Sequence, residues 1–437
     1  MKPQPPSHAE ESAEFSTAES CAVALDANDP LAAYRGQFHI PKRADGKEVI
    51  YFAGNSLGLM PKCVQAALDQ ELSDWAGLGV GGHFEAKTPW YKYHETLRGP
   101  AARLVGAEPG EVVIMNSLTV NLHLMMTTFY RPTKDRFKIL MEDAAFPSDT
   151  YAIKTQLQHH GLDPGDALVI AKPRDGEHTI RTNDIEAILE EQGDETALVL
   201  FGGVQYFTGQ VFDMARIAAA GKKHGCVVGL DLAHAAGNVE LRLHDWDVDF
   251  AVWCNYKYLN SGPGAVGGCF VHHRHATNVE LHRLGGWWGN DPEARFRMHL
   301  QPEFVPVASA DGWQISNPPV LSLAAVKASY ELFDEVGLSA LREKSKRLTA
   351  YLSFLIDDVA PDRVEIVTPR EPEARGCQLS MLVHERPKEL HDALEREGVV
   401  CDFREPNVIR VAPVPLYNSF LDVWNFSRIL ARHVGRE

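Results

Sequence analysis

From Val112 onward, short apolar runs alternate with stretches of helical periodicity, and this alternation limits the chain to very few architectures. Strand-like Val112–Met115 precedes helical Thr119–Thr128. Phe137–Glu142 precedes Thr150–His160, and Thr196–Phe201 precedes Phe212–His224. Cys226–Leu230, Phe250–Trp253 and Gly268–His272 continue the strands. Strands apolar along their whole length must be covered on both faces, and intervening amphipathic helices supply the cover. The predicted fold class is therefore α/β, a mostly parallel sheet flanked by helices. A ligand belongs at the carboxyl ends of such strands.

Asn317-Pro-Pro319 interrupts the pattern, and a helical run from about Leu323 to Val336 stops at Gly337. Beyond it, helical 338–357 and 388–398 with strand-like 377–383 and 408–412 predict a smaller α+β domain. Residues 1–28 are polar and aperiodic and are expected to form a flexible N-terminal arm. That leaves 29–325 as a large ligand-binding domain, whose first part can pack on the small domain, and 326–437 as the small C-terminal domain. Val64, Leu68, Leu72 and Trp75 recur at helical spacing up to Gly77, with a glycine-rich loop expected after it.

Two strand ends carry the chemistry. Lys257 follows the apolar run 250–253, and Asp231 ends the run 226–230. Burial favours a neutral, nucleophilic amine that condenses with carbonyls. An amine and a carboxylate at neighbouring strand ends are the two handles that hold pyridoxal phosphate, one for its aldehyde and one for its ring nitrogen. A buried salt bridge, or two solvated rim residues, would explain the pair equally well.

Other candidates have plainer explanations when taken singly. At Asn116-Ser-Leu118-Thr119 a strand turns into a helix, whose first N–H groups suit a phosphate. An ordinary Ser/Thr cap fits the same residues. Phe146-Pro147-Ser148-Asp149 offers a ring face, a hydroxyl and a carboxylate, or else a proline turn with a core Phe and a capping Asp. His234 can touch the same ligand as Asp231 or be a structural histidine. Trp287, Trp288 and Asn317 suit interface or core packing as well as ligand binding.

Gly77-Leu-Gly79-Val-Gly-Gly82 fits a dinucleotide pattern but follows a helix, so the strand that pyrophosphate binding needs is missing. His272-His-Arg-His275 and His159-His160 have no ligand pair at i, i+4 and no paired cysteines, so no metal is expected. Cys377 lies at the start of an alternating strand and reads as a core thiol.

The 437 residues are 45% hydrophobic with a formal charge of −16. Clustered positive charge for nucleic acid or a membrane surface is not expected, and a small-molecule partner is. With no apolar leader and seven scattered cysteines, the chain is expected to be cytoplasmic.

Taken together, Leu118-Thr119, residues 146–149, Asp231-Leu-Ala-His234, Tyr256-Lys257 and Asn317 resemble the ordered landmarks of fold-type-I pyridoxal phosphate enzymes, and specifically the kynureninase family. Asn55-Ser-Leu-Gly-Leu59, residues 206–210, 231–241 and 244–251, Ile315–Pro319 and Ile409–Phe420 are similar to segments of that family, so the likeness runs from about residue 30 to the C-terminus.

The resemblance implies the aspartate aminotransferase fold and a homodimer with shared active sites. It also implies hydrolysis of L-kynurenine, or its 3-hydroxy form, to an anthranilate and L-alanine in tryptophan catabolism. It implies Lys257 as the lysine that binds the cofactor aldehyde, Asp231 as the ring-nitrogen partner and His234 as its neighbour. Leu118, Thr119 and Tyr256 would meet the phosphate, with Trp287 and Asn317 from the other subunit. Phe146 would stack on the ring within the cofactor-binding run Phe146, Pro147, Ser148 and Asp149. Arg410 would hold the substrate carboxylate, Ser56 and His83 would line the aryl pocket with Asn317, and Tyr256 is the candidate proton relay.

Gly202 stands where many relatives carry a hydroxyl, so that cofactor contact is either absent or made by backbone. Phe207 replaces a tyrosine of animal members. A cysteine desulfurase relative, with Cys377 as a mobile nucleophile, and a non-catalytic cofactor-binding protein are the alternatives.

Overall fold

The computed structural model describes residues 15–434 and divides them into two compact units. One comprises 60–206 and 210–338. The other joins the described residues up to Leu59 with 207–209 and those from Ser339 onward. The division differs from the expected 29–325 and 326–437: the segment before Leu59 belongs with the C-terminal unit, and the boundary falls after the helix Val320–Val336.

In the first unit seven strands form one sheet: β1 (Val112–Ile114), β2 (Lys138–Glu142), β3 (Leu168–Ala171), β4 (Thr196–Gly202), β5 (Val227–Asp231), β6 (Phe250–Trp253) and β7 (Gly268–Val271). Their order is β1-β7-β6-β5-β4-β2-β3. β6, β5, β4, β2 and β3 pair in parallel, while β7 runs antiparallel between β1 and β6. β3 was not expected from its residues. It is half-buried along most of its length, as befits an edge strand, and Val and Ile there make too short a run to stand out.

Val113, Leu122, Met125, Ile139, Leu198, Phe250 and Val252 belong to one continuous apolar core between the sheet and its helices. A second contact joins the helix Cys63–Leu78 to Val320–Val336 through Val64, Leu68, Ala325 and Ala328. The first of these helices passes through Gly77, and the segment expected as a glycine-rich loop continues as short helical turns over Gly79–Glu85. Helical hydrogen bonding there outweighs glycine's entropic cost of about 1 kcal/mol per residue.

The second unit holds an antiparallel sheet of β8 (Val364–Ile366), β9 (Leu379–Val383), β10 (Asp402–Arg404) and β11 (Val408–Val411), in the order β10-β11-β9-β8. Ile50–Tyr51 pairs in parallel with Val399–Val400. Part of the expected flexible arm, 1–14, lies outside the described residues. The remainder corrects the expectation: Glu19–Ala27 is a helix. Ala22 and Leu25 enter the apolar core of this unit beside Val423 and Phe426. The Asp26 carboxylate accepts the backbone N–H groups of Phe420 (2.7 Å) and Leu421 (3.0 Å), capping the last helix, Phe420–Val434, from a distant part of the chain.

Candidate active site

Lys257 lies just past β6, Asp231 ends β5, Gly202 ends β4 and Glu142 ends β2, so four strands deliver side chains or backbone to one rim. Ten of the expected residues line a single cavity: Leu118, Thr119, Phe146, Ser148, Asp149, Gly202, Asp231, His234, Tyr256 and Lys257. Its remaining walls are Glu142, Val204, Tyr206 and Ala233, none of which was named as a site residue from the sequence. Val204 and Ala233 carry no chemistry to notice. Glu142 looked like the tail of a strand.

The loop that presents Lys257 is pinned from behind. Asn255 is fully buried, accepts hydrogen bonds from Trp253 Nε1 (3.1 Å) and Tyr330 Oη (2.8 Å), and donates Nδ2 to Val266 O (2.6 Å). The lysine itself is half-buried, with Nζ 5.8 Å from the centre of the Phe146 ring and 6.0 Å from that of Tyr256. Phe146 is 43% exposed, which removes the reading of a core phenylalanine. Its edge meets Tyr206 at 5.3 Å. Burial and the adjacent Cys254 thiol push the Tyr256 phenol well above its ordinary range, so it stays protonated.

Two acids of the same cavity are in contact. Asp231 Oδ1 accepts the Ala233 N–H at 2.7 Å. Burial raises both carboxyls, and the hydrogen bond between them raises Asp149 while lowering Asp231. Asp149 therefore keeps the proton and Asp231 carries the charge. Asp149 does not act as the helix cap that its position suggested.

The helix Leu118–Phe129 opens onto the cavity without a side-chain cap, because Ser117 makes no capping bond. Its first N–H groups and the positive end of its dipole are left for an anion. Thr119 Oγ1 and Ser148 Oγ stand 3.0 Å apart at the same rim. Asn116 and Ala144, in the loops that feed the two rim helices, both have φ of 49°, a strained region for residues other than glycine.

A planar heteroaromatic ring bearing an aldehyde and a phosphate fits this donor set. The amine would meet the aldehyde, the charged Asp231 a protonated ring nitrogen, and the uncapped helix the phosphate. The buried Asp149 Oδ1, which has no protein partner, adds a polar atom for the ring's own substituents.

The other expected residues are placed elsewhere. His83 and Asn317 line a second, more apolar cavity of the same unit, with Trp75, Trp90 and Trp288. Trp287 is 37% exposed against the buried Trp288, and Pro147 opens its helix as the first residue. Ser56 and Arg410 belong to the other unit, where Arg410 is buried and its Nε and Nη2 both reach Asp402 Oδ1, at 2.9 and 2.8 Å. Gly202 donates its N–H to Glu142 Oε1 at 3.1 Å, so that backbone group is already engaged.

Cys377 is buried, receives the Ser345 hydroxyl at 3.4 Å, and has its thiol pushed up to about 11 by burial. A thiol so placed is neither mobile nor ionised. The histidines of 272–275 serve an ion network in which the buried Glu111 takes the His273 N–H (2.7 Å) and the His244 ring (2.9 Å), while Asp249 takes the His275 ring (2.7 Å).

Residues 341–430 match the family described as kynureninase C-terminal domain. The chain is 56% identical to the kynureninase of Koribacter versatilis (strain Ellin345), over 95% of this chain and 97% of that one. The chain belongs to the kynureninase family. The kynureninase of Myxococcus xanthus (strain DK1622) is 55% identical over 96% and 98% of the two chains. Among solved structures, a cysteine desulfurase from Thermococcus onnurineus NA1 superposes with a TM-score of 0.73 at 19% identity, covering 88% of this chain and 94% of that one. A C-DES mutant with glycine covalently linked to its pyridoxal phosphate superposes with a TM-score of 0.74 at 17% identity, covering 91% and 98%. At such identities the likeness is one of fold, the fold-type-I arrangement of a mostly parallel sheet followed by a smaller antiparallel one. Among the described residues of this kynureninase-family chain, no helix is long and apolar enough to cross a membrane.

Proposed function

We propose that the chain hydrolyses L-kynurenine to anthranilate and L-alanine at the Lys257 cavity. One observation carries this reading: an amine, a charged carboxylate and an uncapped helix start converge on a single cavity in a kynureninase-family chain. The cofactor is pyridoxal phosphate. When bound, it supplies an electron sink that lets bonds at the substrate's α- and β-carbons break.

Lys257 would hold the cofactor's aldehyde and is the base placed to take the substrate's α-proton. Asp231, relieved of its proton by Asp149, keeps the ring nitrogen cationic. Thr119, Ser148 and the first N–H groups of Leu118–Phe129 would hold the phosphate, and Phe146 would stack on the ring. Arg410 holds the substrate carboxylate, its guanidinium positioned by Asp402. Tyr256, a neutral phenol beside Lys257, moves a proton during cleavage of Cβ–Cγ. The added water leaves its oxygen on the anthranilate carboxyl, and the β-carbon takes the proton that completes alanine.

The enzyme works as a homodimer in which Trp287 and Asn317 complete the partner's site, and it resides in the cytoplasm. Seven free thiols among the described residues fit a reducing compartment. A visible spectrum of the purified protein, followed by kynurenine and detection of blue-fluorescent anthranilate, tests cofactor and reaction together. A colourless protein that releases no anthranilate overturns the reading. Borohydride reduction must also leave the cofactor on Lys257.

His83 and Asn317 share one cavity, which favours acceptance of a ring hydroxyl and thus of 3-hydroxykynurenine. Comparison of kcat/KM for the two substrates decides this; a preference for unmodified kynurenine above about 100-fold, roughly 2.7 kcal/mol, overturns it.

A further inference from the structure

Glu142 is the one acid of the cavity that the reaction above does not use. It is 6% exposed, and it ends β2 next to the end of β4. One oxygen, Oε1, accepts the Gly202 N–H at 3.1 Å. Gly202 pairs in register with Asp231 on β5, so Glu142 and Asp231 flank the same residue from opposite strands. The fit is close. A Cβ at position 202 would come within 2.9 Å of Glu142 Oε1, so a side chain there and the present placement of Glu142 compete for one space.

Around Glu142 the cavity presents Asp149 from the helix Pro147–His159, Asp231 from β5, His234 from the loop after β5, and Tyr256 and Lys257 from the loop after β6. Three carboxyls thus share a cavity with one lysine. Buried like charges so close cannot all ionise together at modest cost. Burial is the main cause that raises Glu142, and the Asp231 charge adds to it, while the N–H of Gly202 pulls the other way; the balance leaves it at about 7.

We propose that Glu142 is a positioning residue of the cofactor site, whose carboxyl, anchored on the Gly202 N–H, gains or loses one proton beside the Asp149–Asp231 pair and so sets how firmly that pair holds the proton on the cofactor's ring nitrogen. The proposal rests on pyridoxal phosphate occupying this cavity. Ionised Glu142 adds negative potential at Asp231 and tightens the hold on the ring proton. Neutral Glu142 withdraws it. The same geometry accounts for glycine at 202: a hydroxyl-bearing side chain there would displace the carboxyl that has taken its place.

The test is a pH titration of the visible absorbance of the holoenzyme, wild type against Glu142→Gln. Glutamine keeps an oxygen for the Gly202 N–H and nearly the same volume, so a purely structural role is preserved and only the titration is removed. The wild type should show a spectral transition centred near 7, and Glu142→Gln should lack it with an unchanged thermal midpoint. Superimposable titrations overturn the proposal. Gly202→Ala provides a second arm: by pressing on the Glu142 carboxyl it should move the transition by about one pH unit, and an unmoved transition counts against the role. Infrared spectra of the wild type across the same range should show a protonated carboxyl disappearing with the visible change; a carboxyl that does not titrate there overturns the idea even if neither variant folds. A wild type with no visible band overturns the cofactor reading as well, whereas a band that titrates without regard to Glu142 overturns this proposal alone.

Discussion

Thr119 Oγ1 and Ser148 Oγ lie 3.0 Å apart, each in the first turn of a different helix opening onto the Lys257 cavity. Two hydroxyls in mutual contact orient one another and act as a unit toward an anion. Thr119→Ala and Ser148→Ala should each weaken pyridoxal phosphate binding about tenfold or more, for loss of roughly 1.5–3 kcal/mol per charge-assisted hydrogen bond. The double variant should fall short of the sum, because the pair is coupled. Dissociation constants from visible titration of the apoenzyme check both statements.

Arg410 is fully buried and anchored by Asp402, so its guanidinium cannot be replaced by a point charge on a flexible stem without losing the fork. Arg410→Lys should raise KM for kynurenine by about tenfold or more, with a smaller change in kcat. An unchanged KM removes it from the substrate site. Tyr256→Phe, by contrast, should lower kcat by about a hundredfold and alter the pH profile of the rate, since a phenol that moves a proton is lost. A variant with wild-type rate and profile has no such relay.

His94 offers a stability prediction away from the site. It is 3% exposed, its Nδ1 has no protein partner, and burial, reinforced by Arg98, lowers its pKa to about 3. The unfolded chain takes up a proton on this ring below the ordinary histidine value of 6.5, and the native state refuses it. Stability from His94 is therefore fully present above 6.5 and falls as the pH drops toward 3, by up to about 1.4 kcal/mol per unit. His94→Gln should flatten that slope in denaturant midpoints measured from neutral to mildly acidic pH. If the two slopes coincide, the ring is not held neutral.

Gly106 has φ of +63° at the end of the helix Arg98–Val105, and a Cβ there would collide with Leu241 O. Gly106→Ala should therefore destabilise the protein by about 2–4 kcal/mol, from strain and the close approach together. Thermal melts of both proteins measure it.

Much of the site could be read from the residues because its parts are local. Lys257, Asp231, Thr119 and residues 146–149 each terminate a strand or begin a helix, and the period of the apolar pattern marks those junctions. The helix Glu19–Ala27 could not be read that way. Its nine residues make too short a run, beside a polar leader, to display a helical period, and it is held by Ala22 and Leu25 entering a core built from residues near the other end of the chain. The cap that Asp26 provides for Phe420–Val434 is equally non-local.

The chain's own pattern determined an α/β sheet with an amine and an acid at its carboxyl edge, since alternating periodicity and strand ends are properties of short segments. Only the tertiary structure decided that β4 lies between β2 and β5, and with that placed Glu142 against Gly202 beside Asp231. The same order of strands decided which of the two contacting acids keeps the proton, because burial and proximity depend on neighbours distant in sequence.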